Sequence, residues 1–157
     1  MKKFTIRVYG ILHDPEQGVL VSDEWIKDDR FTKFPGGGLK LGEGTRDCLV
    51  REFLEEMNLR VAVDDHIYTT DFFQISAFNP AHQIISIYYA VRPLEKITVK
   101  IKTTPFDFDE RELALYEKNR QTESFRFIQW SNFGPASLSL PIDKIVASQL
   151  LKQRSIN

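Results

Sequence analysis

Apolar and polar residues alternate at the start of the chain. Phe4, Ile6 and Val8 are apolar, Thr5 and Arg7 lie between them, and Ile11 and Leu12 follow. Successive side chains of a strand point to opposite faces, so this period of two predicts a strand. Asp14-Pro15-Glu16-Gln17-Gly18 predicts a turn, and residues 19–26 the return strand. Residues 27–30 read as a polar loop. The period then lengthens, and residues 45–57 predict a helix. One or two strands are expected within 59–77, a turn at Asn79-Pro80-Ala81-His82, a strong strand over 83–94 and a short one over 96–101. Residues 105–123 read as irregular and highly charged, and 124–130 as a strand that reaches Trp130. Residues 141–152 predict a C-terminal helix: Pro141 suits its first turn, and Ile142, Ile145, Val146, Gln149 and Leu150 follow helical spacing. The order strands, helix, strands, helix predicts an α+β or mixed α/β fold with sheet layers covered by helices.

Composition narrows the function classes. A chain of 157 residues fits one domain spanning 1–157, and 42% apolar with 27% charged residues excludes a disordered composition. Twelve phenylalanines suggest a core or groove rich in aromatic surface. The formal net charge is -1, from 21 basic and 22 acidic residues, and no block of Lys or Arg draws in nucleic acid. Nucleic acid is therefore not expected as a partner. The single cysteine, Cys48, rules out an intramolecular disulfide. With no signal-like apolar run at the start, where Arg7 interrupts the strand pattern behind Lys2 and Lys3, this points to the cytoplasm. No stretch of ~18 apolar residues is present, so no membrane span is expected.

The candidate chemistry lies in one window, "FPGGGLKLGEGTRDCLVREFLEEMN", residues 34–58. Thr45 is the expected N-cap of its helix, and Asp47 suits the positive end. At ~100° per residue, Leu49, Val50, Phe53, Leu54 and Met57 gather on one side, and Glu52, Glu55 and Glu56 on the other. Glu52 and Glu56 form a like-charge i,i+4 pair, and Glu55 and Glu56 sit in the last turn, where the helix dipole disfavours anions. Arg51 offsets part of this through Glu55, and a divalent cation offsets far more, because hard cations take carboxylate oxygens. Each feature has a plain reading alone: an acidic helix face is commonly solvated, three glycines commonly make a tight turn, and Glu43 commonly is a surface acid.

Their joint spacing is specific. From Gly37 five residues lead to Glu43, seven more to Arg51-Glu52, and then Phe53-Leu54-Glu55-Glu56-Met57-Asn58-Leu59 follow. This resembles the Nudix box, G-x5-E-x7-R-E-U-x-E-E-x-G-U, with U a bulky aliphatic residue. Every fixed charged position matches. Phe53 departs at an aliphatic position but stays apolar. Asn58 stands in place of glycine, and Asn is the next-best residue for the left-handed conformation that ends a helix. The resemblance implies a Nudix-type α/β/α sandwich with a mixed sheet and a loop-helix-loop box. It also implies a Mg2+-dependent hydrolase of a nucleoside diphosphate linked to another moiety, with Mn2+ as the alternative ion. Carried over, Glu52, Glu55 and Glu56 would be metal ligands and Gly36 would supply a backbone carbonyl. Arg51 and Glu43 would support the helix and orient the glutamates.

The elementary chemistry agrees, since a metal between diphosphate oxygens neutralises charge that repels the attacking water and lowers the pKa of that water. The general base is a box glutamate or an outside acid. Glu123 is the first outside candidate, with Asp107, Asp109, Glu110 and Glu112 as rivals in a segment that suits a lid. Cys48 falls near the helix start on the acidic side, where a thiol can be activated, although a small half-buried role is the plainer reading. His13, His66 and His82 show no metal spacing. The expected ligand is a small nucleoside diphosphate derivative, such as ADP-ribose or a nucleoside triphosphate. Family members are often homodimers, and the aromatic strands permit one. Competing readings are a nucleotide sensor of Nudix fold, which typically loses box acids, and an isoprenoid diphosphate isomerase, which is longer and uses a cysteine outside the box helix.

Overall fold

The first turn does not close the hairpin that the alternation suggests. In the computed structural model, which describes residues 2–156, strand β1 runs over Lys3–Ile11 and the two-residue β2 over His13–Asp14. It is β2 that pairs with β3 (Gly18–Ile26), while β1 belongs to another sheet. Asp14 Oδ1 accepts from the backbone N–H groups of Glu16 and Gln17, each at 2.8 Å, and Gly18, at φ 100°, leads out of the turn. The remaining elements are β4 (Asp29–Lys33), β5 (Gly36–Gly38), α1 (Thr45–Met57), β6 (Val61–Thr69), β7 (His82–Pro93), β8 (Ile101–Lys102), α2 (Glu110–Asn119), β9 (Gln121–Ile128) and α3 (Pro141–Ile156), with a 3-10 turn at Pro135–Ser137. The polar loop expected at 27–30 is shorter, because Asp29 and Arg30 already pair with β3.

The chain divides into two compact units. The first joins the stretch ending at Leu12 to Pro35–Val99. Its four strands lie in the order β5-β1-β7-β6, with β1 parallel to β7 and the other pairs antiparallel. Helix α1 packs on β5, β1 and β6. It buries Leu49, Phe53 and Met57 against a core that includes Val8, Leu59 and Val61. Val50 and Leu54, expected on the buried side, are exposed at 42% and 49%. The buried stripe is centred one step round the helix, on Cys48, Leu49, Glu52 and Phe53. Thr45 is not the N-cap. Gly44 holds that position, its N–H donates to Asp47 Oδ2 at 3.2 Å, and the Thr45 hydroxyl bonds the Tyr89 hydroxyl at 2.7 Å.

The second unit joins His13–Phe34 to the chain from Lys100 onward. Its sheet has the order β2-β3-β9-β8 with β4 added on β3, and β8 runs parallel to β9. Helix α2 is the element that the charge of its segment hid. Asp109 caps it: its side chain accepts from Glu112 N at 2.9 Å, and Glu112 Oε1 accepts from Asp109 N at 2.8 Å. Buried Lys102 ties this end down, with Nζ at 3.0 Å from Glu112 and 3.7 Å from Asp109. The ring of Tyr116 stacks 3.5 Å from that of Trp25. The strand expected over 96–101 shrinks to Ile101–Lys102, and β9 ends before Trp130. Helix α3 forms as expected but buries Ile142, Asp143, Val146 and Ala147 and leaves Ile145 at the surface. Asp143 Oδ2 accepts from the N–H of Phe34 at 3.3 Å.

Asn58 ends α1 in the left-handed conformation, at φ 49° and ψ 41°. Its N–H donates to Leu54 O at 3.0 Å, the bond of a simple left-handed helix cap, and that of Leu59 donates to Phe53 O at 3.3 Å. Asn58→Gly should therefore leave the thermal unfolding midpoint unchanged or raise it. Asn58→Ala should cost about 1 kcal/mol, as left-handed backbone does for a residue with an ordinary side chain, and a melt of the three proteins checks both.

Candidate functional site

Three glycines allow a helix to sit unusually close to a strand. In β5, Gly36, Gly37 and Gly38 pair with Tyr9, Val8 and Arg7 of β1. Gly36 has φ +149°, and a Cβ there would meet Val8 O at 2.1 Å, so this position needs glycine for its backbone. Gly37 needs it for another reason: a Cβ there would lie 2.3 Å from Glu52 Oε1. The Glu52 carboxylate thus rests directly on the bare α-carbon of Gly37. One residue further along α1, Phe53 rests in the same way on Gly10 of β1, where a Cβ would meet its ring at 2.7 Å. Two adjacent helix residues are seated on two glycines of neighbouring strands.

The ladder also directs the carbonyls. Gly10 N donates to Pro35 O at 2.8 Å and Leu39 N to Ile6 O at 2.9 Å. Hydrogen-bonded and non-bonded pairs alternate in an antiparallel ladder, so the carbonyls of Gly36 and Gly38 point away from β1. That of Gly38 is met there by Arg51 Nη2 at 3.1 Å.

Arg51 gathers most of the acids of the window. Its Nε and Nη2 grip Glu43 at 2.9 and 2.6 Å, a two-point contact with both carboxylate oxygens. Its Nη1 reaches Glu52 Oε1 at 2.9 Å and Glu55 Oε2 at 3.3 Å. Glu43 and Glu52 raise the affinity of the guanidinium for its proton, and the Arg51 hydrogen bonds hold the Glu43 carboxyl down to about 2 from its ordinary 4.5. Glu52 is buried, Glu55 is exposed and Glu56 half-buried on the same helix. Contacts of Arg51 thus bring Glu43, Glu52 and Glu55 together, while Gly36 and Glu56 lie in the same unit, on β5 and α1. Glu123 lies in the second unit, on β9, where Ser22 Oγ donates to its Oε2 at 2.8 Å. Its rivals Asp109, Glu110 and Glu112 lie on or cap the first turn of α2, and two of them are engaged in its cap.

Cys48 is not an activated thiol. It lies on the buried side of α1, and burial, with Glu43 nearby, pushes it up to about 12. Its Sγ is 3.6 Å from Gly38 O. Of the histidines, His82 Nδ1 bonds the Thr5 hydroxyl at 2.9 Å and His66 Nε2 that of Thr69 at 2.7 Å.

Among the described residues no three His, Cys, Asp or Glu side chains stand close enough together to hold a metal ion without rearranging. The donor set nonetheless suits a hard cation: carboxylate oxygens, and a backbone carbonyl directed away from the ladder. One Arg51 nitrogen already touches both Glu52 and Glu55, and the Glu55 side chain is 54% exposed.

A family model described as the NUDIX domain matches residues 3–130. Solved structures agree in fold. A structure from work on MutT of Aliivibrio salmonicida and Vibrio cholerae is 17% identical, over 97% of this chain and 99% of that one, with a TM-score of 0.63. The MutT protein of Methanosarcina mazei Go1 is 12% identical over 99% and 98%, with a TM-score of 0.62. A NUDIX hydrolase of Nitrosomonas europaea is 14% identical over 100% and 75%, with a TM-score of 0.60. The sequence matches none of the curated proteins.

The glycine seats separate by experiment. Gly36→Ala drives a Cβ into backbone, and its φ alone should cost ~1–3 kcal/mol. Gly37→Ala meets only the end of the Glu52 side chain, so its midpoint should fall much less. Acid should also discriminate. Glu43, whose folded pKa is depressed, adds stability that is fully present above about pH 4.5 and is lost as pH falls toward about 2. Thermal midpoints of wild type and Glu43→Gln should therefore differ near neutrality and converge across that window.

Proposed function

We propose that this chain, which belongs to the NUDIX family, hydrolyses the diphosphate linkage of a small nucleoside diphosphate derivative with the help of Mg2+. Nudix hydrolases generally act on nucleoside diphosphate derivatives and use divalent metal ions. The observation that carries the reading is the contact of Glu52 with Gly37 and Arg51. A glutamate is buried on a glycine strand and held by an arginine that also holds Glu43 and Glu55. Burying a carboxylate is costly, and a hydrophobic side chain at this position would pack without that cost. An anion kept there suits a cation that arrives with substrate.

In this reading Glu52, Glu55, Glu56 and the Gly36 carbonyl hold Mg2+, with Mn2+ as the alternative. Bound metal supplies charge neutralisation at the diphosphate and a more acidic water. Arg51 orients Glu52 and Glu55, and Glu43 fixes Arg51. Because Glu43 stays ionised down to about pH 2, this grip persists through the physiological range. The general base is a box glutamate or an outside acid, with Glu123 the first candidate among the latter, and Ser22 Oγ donates to its Oε2 at 2.8 Å. The chain works as one domain over 1–157, in the cytoplasm, and the ligand is ADP-ribose, a related nucleotide-sugar or a nucleoside triphosphate. A homodimer is compatible with this chemistry.

A panel of ADP-ribose and the common nucleoside triphosphates, run with Mg2+ and with Mn2+, tests the reading by release of phosphate-containing products. Failure of the whole panel, with one nucleotide raising the unfolding midpoint, would favour the sensor instead. Glu56→Gln should cost more than the roughly 10–100-fold typical of outer-shell partners. Glu123→Gln should cost ~100- to 10,000-fold, the usual range for a general base, at an unchanged melting temperature. Wild-type turnover in either variant removes that residue from its role.

A further inference from the structure

In the second unit, Glu24 of β3 and Glu123 of β9 are direct partners in the antiparallel register. Partners share a face, with Cβ atoms roughly 4.5–5.5 Å apart, and like charges set opposite one another are destabilising. The register puts Ser22, Gln121 and Lys33 on that face too, through the pairs Ser22 with Lys33 and Ile26 with Gln121. Lys33 Nζ lies 3.0 Å from Glu24 Oε2, with the two side chains only 2% and 8% exposed. Gln121 Nε2 donates to Glu24 Oε1 at 2.9 Å. Both oxygens of Glu24 are thereby engaged, and Glu123 is held by Ser22 at 2.8 Å. The opposite face keeps its own balance, with Arg126 Nε donating to Asp23 Oδ2 at 2.6 Å.

A buried lysine and a buried glutamate on adjacent strands are a poor route to stability, since apolar residues of like volume often do as well or better. Removing one partner strands the other charge. Here the stranded charge would be Glu24, facing Glu123. We infer that Lys33 is a positioning residue for Glu123. It draws Glu24 aside and balances its charge, and so leaves Glu123 aimed by Ser22. The inference rests on Glu123, the first outside candidate named above, serving as the base.

The test is a double-mutant cycle, with turnover measured on the same Mg2+ panel of ADP-ribose and nucleoside triphosphates. Lys33→Met should lower kcat by roughly 10- to 100-fold, in the range of outer partners of a site, with KM unchanged. Adding Glu24→Gln removes the stranded charge and should restore most of the loss. Lys33→Arg should keep most of the activity. Wild-type kcat in Lys33→Met overturns the inference, and so does a double variant that stays as slow as the single one, because Lys33 would then act on substrate or not through Glu24. If Lys33→Met does not fold, Ser22→Ala and the double variant carry the test: a lower kcat in the first with an unchanged melt supports it, and wild-type kcat overturns it. Wild-type turnover in Glu123→Gln, or no hydrolysis by the wild-type chain, instead defeats the reading beneath it.

Discussion

A carboxylate lying on a bare α-carbon sets the geometry of the site. Glu52 occupies the place where any side chain at Gly37 would be, and Phe53 does the same at Gly10. Helix α1 can approach β5 and β1 this closely only because both strands omit a side chain at the crossing. The approach brings Arg51 against the Gly38 carbonyl, and from there its guanidinium spans Glu43, Glu52 and Glu55. Loose backbone and clustered acid in one window are therefore two parts of one contact. Glycines make the room, and acids with their arginine fill it.

The two units handle buried charge by different means. In the first, the cation and its acids come largely from one stretch of sequence, and helical spacing brings Arg51, Glu52 and Glu55 together. In the second, partners come from different strands: Lys33 with Glu24, and Arg126 with Asp23 across a sequence separation of 103. Sheet register alone makes these pairs.

That difference explains what the sequence revealed. The box residues were legible because their relations are local, so that periodicity and spacing place them on one helix and its lead-in loop. Asn58 was legible for the same reason, since its left-handed turn depends on the residue itself. The sheets were not, because pairing is non-local: nothing in residues 3–26 says that β1 takes β7 as a parallel partner while β3 takes β9. Helix α2 escaped because its only buried residue is Tyr116, which leaves no apolar period to detect. Its cap, Asp109 followed three residues later by Glu112, was the available signal. The Thr45 expectation failed because a glycine took the capping position and Tyr89 took the hydroxyl. Val50 and Leu54 failed because the strand glycines let Glu52 turn inward, which rotates the buried stripe.

The seat of α1 also encloses the only sulfhydryl in the chain. Cys48 is fully buried beside the Gly38 carbonyl, and its acidity is suppressed. Reactivity requires the thiolate and access to it, and in the closed protein Cys48 has neither. An alkylating reagent reaches it only when the helix lifts from its glycines. The rate of labelling therefore times that opening, and the protein carries its own stopwatch for the local motion that disassembles the site.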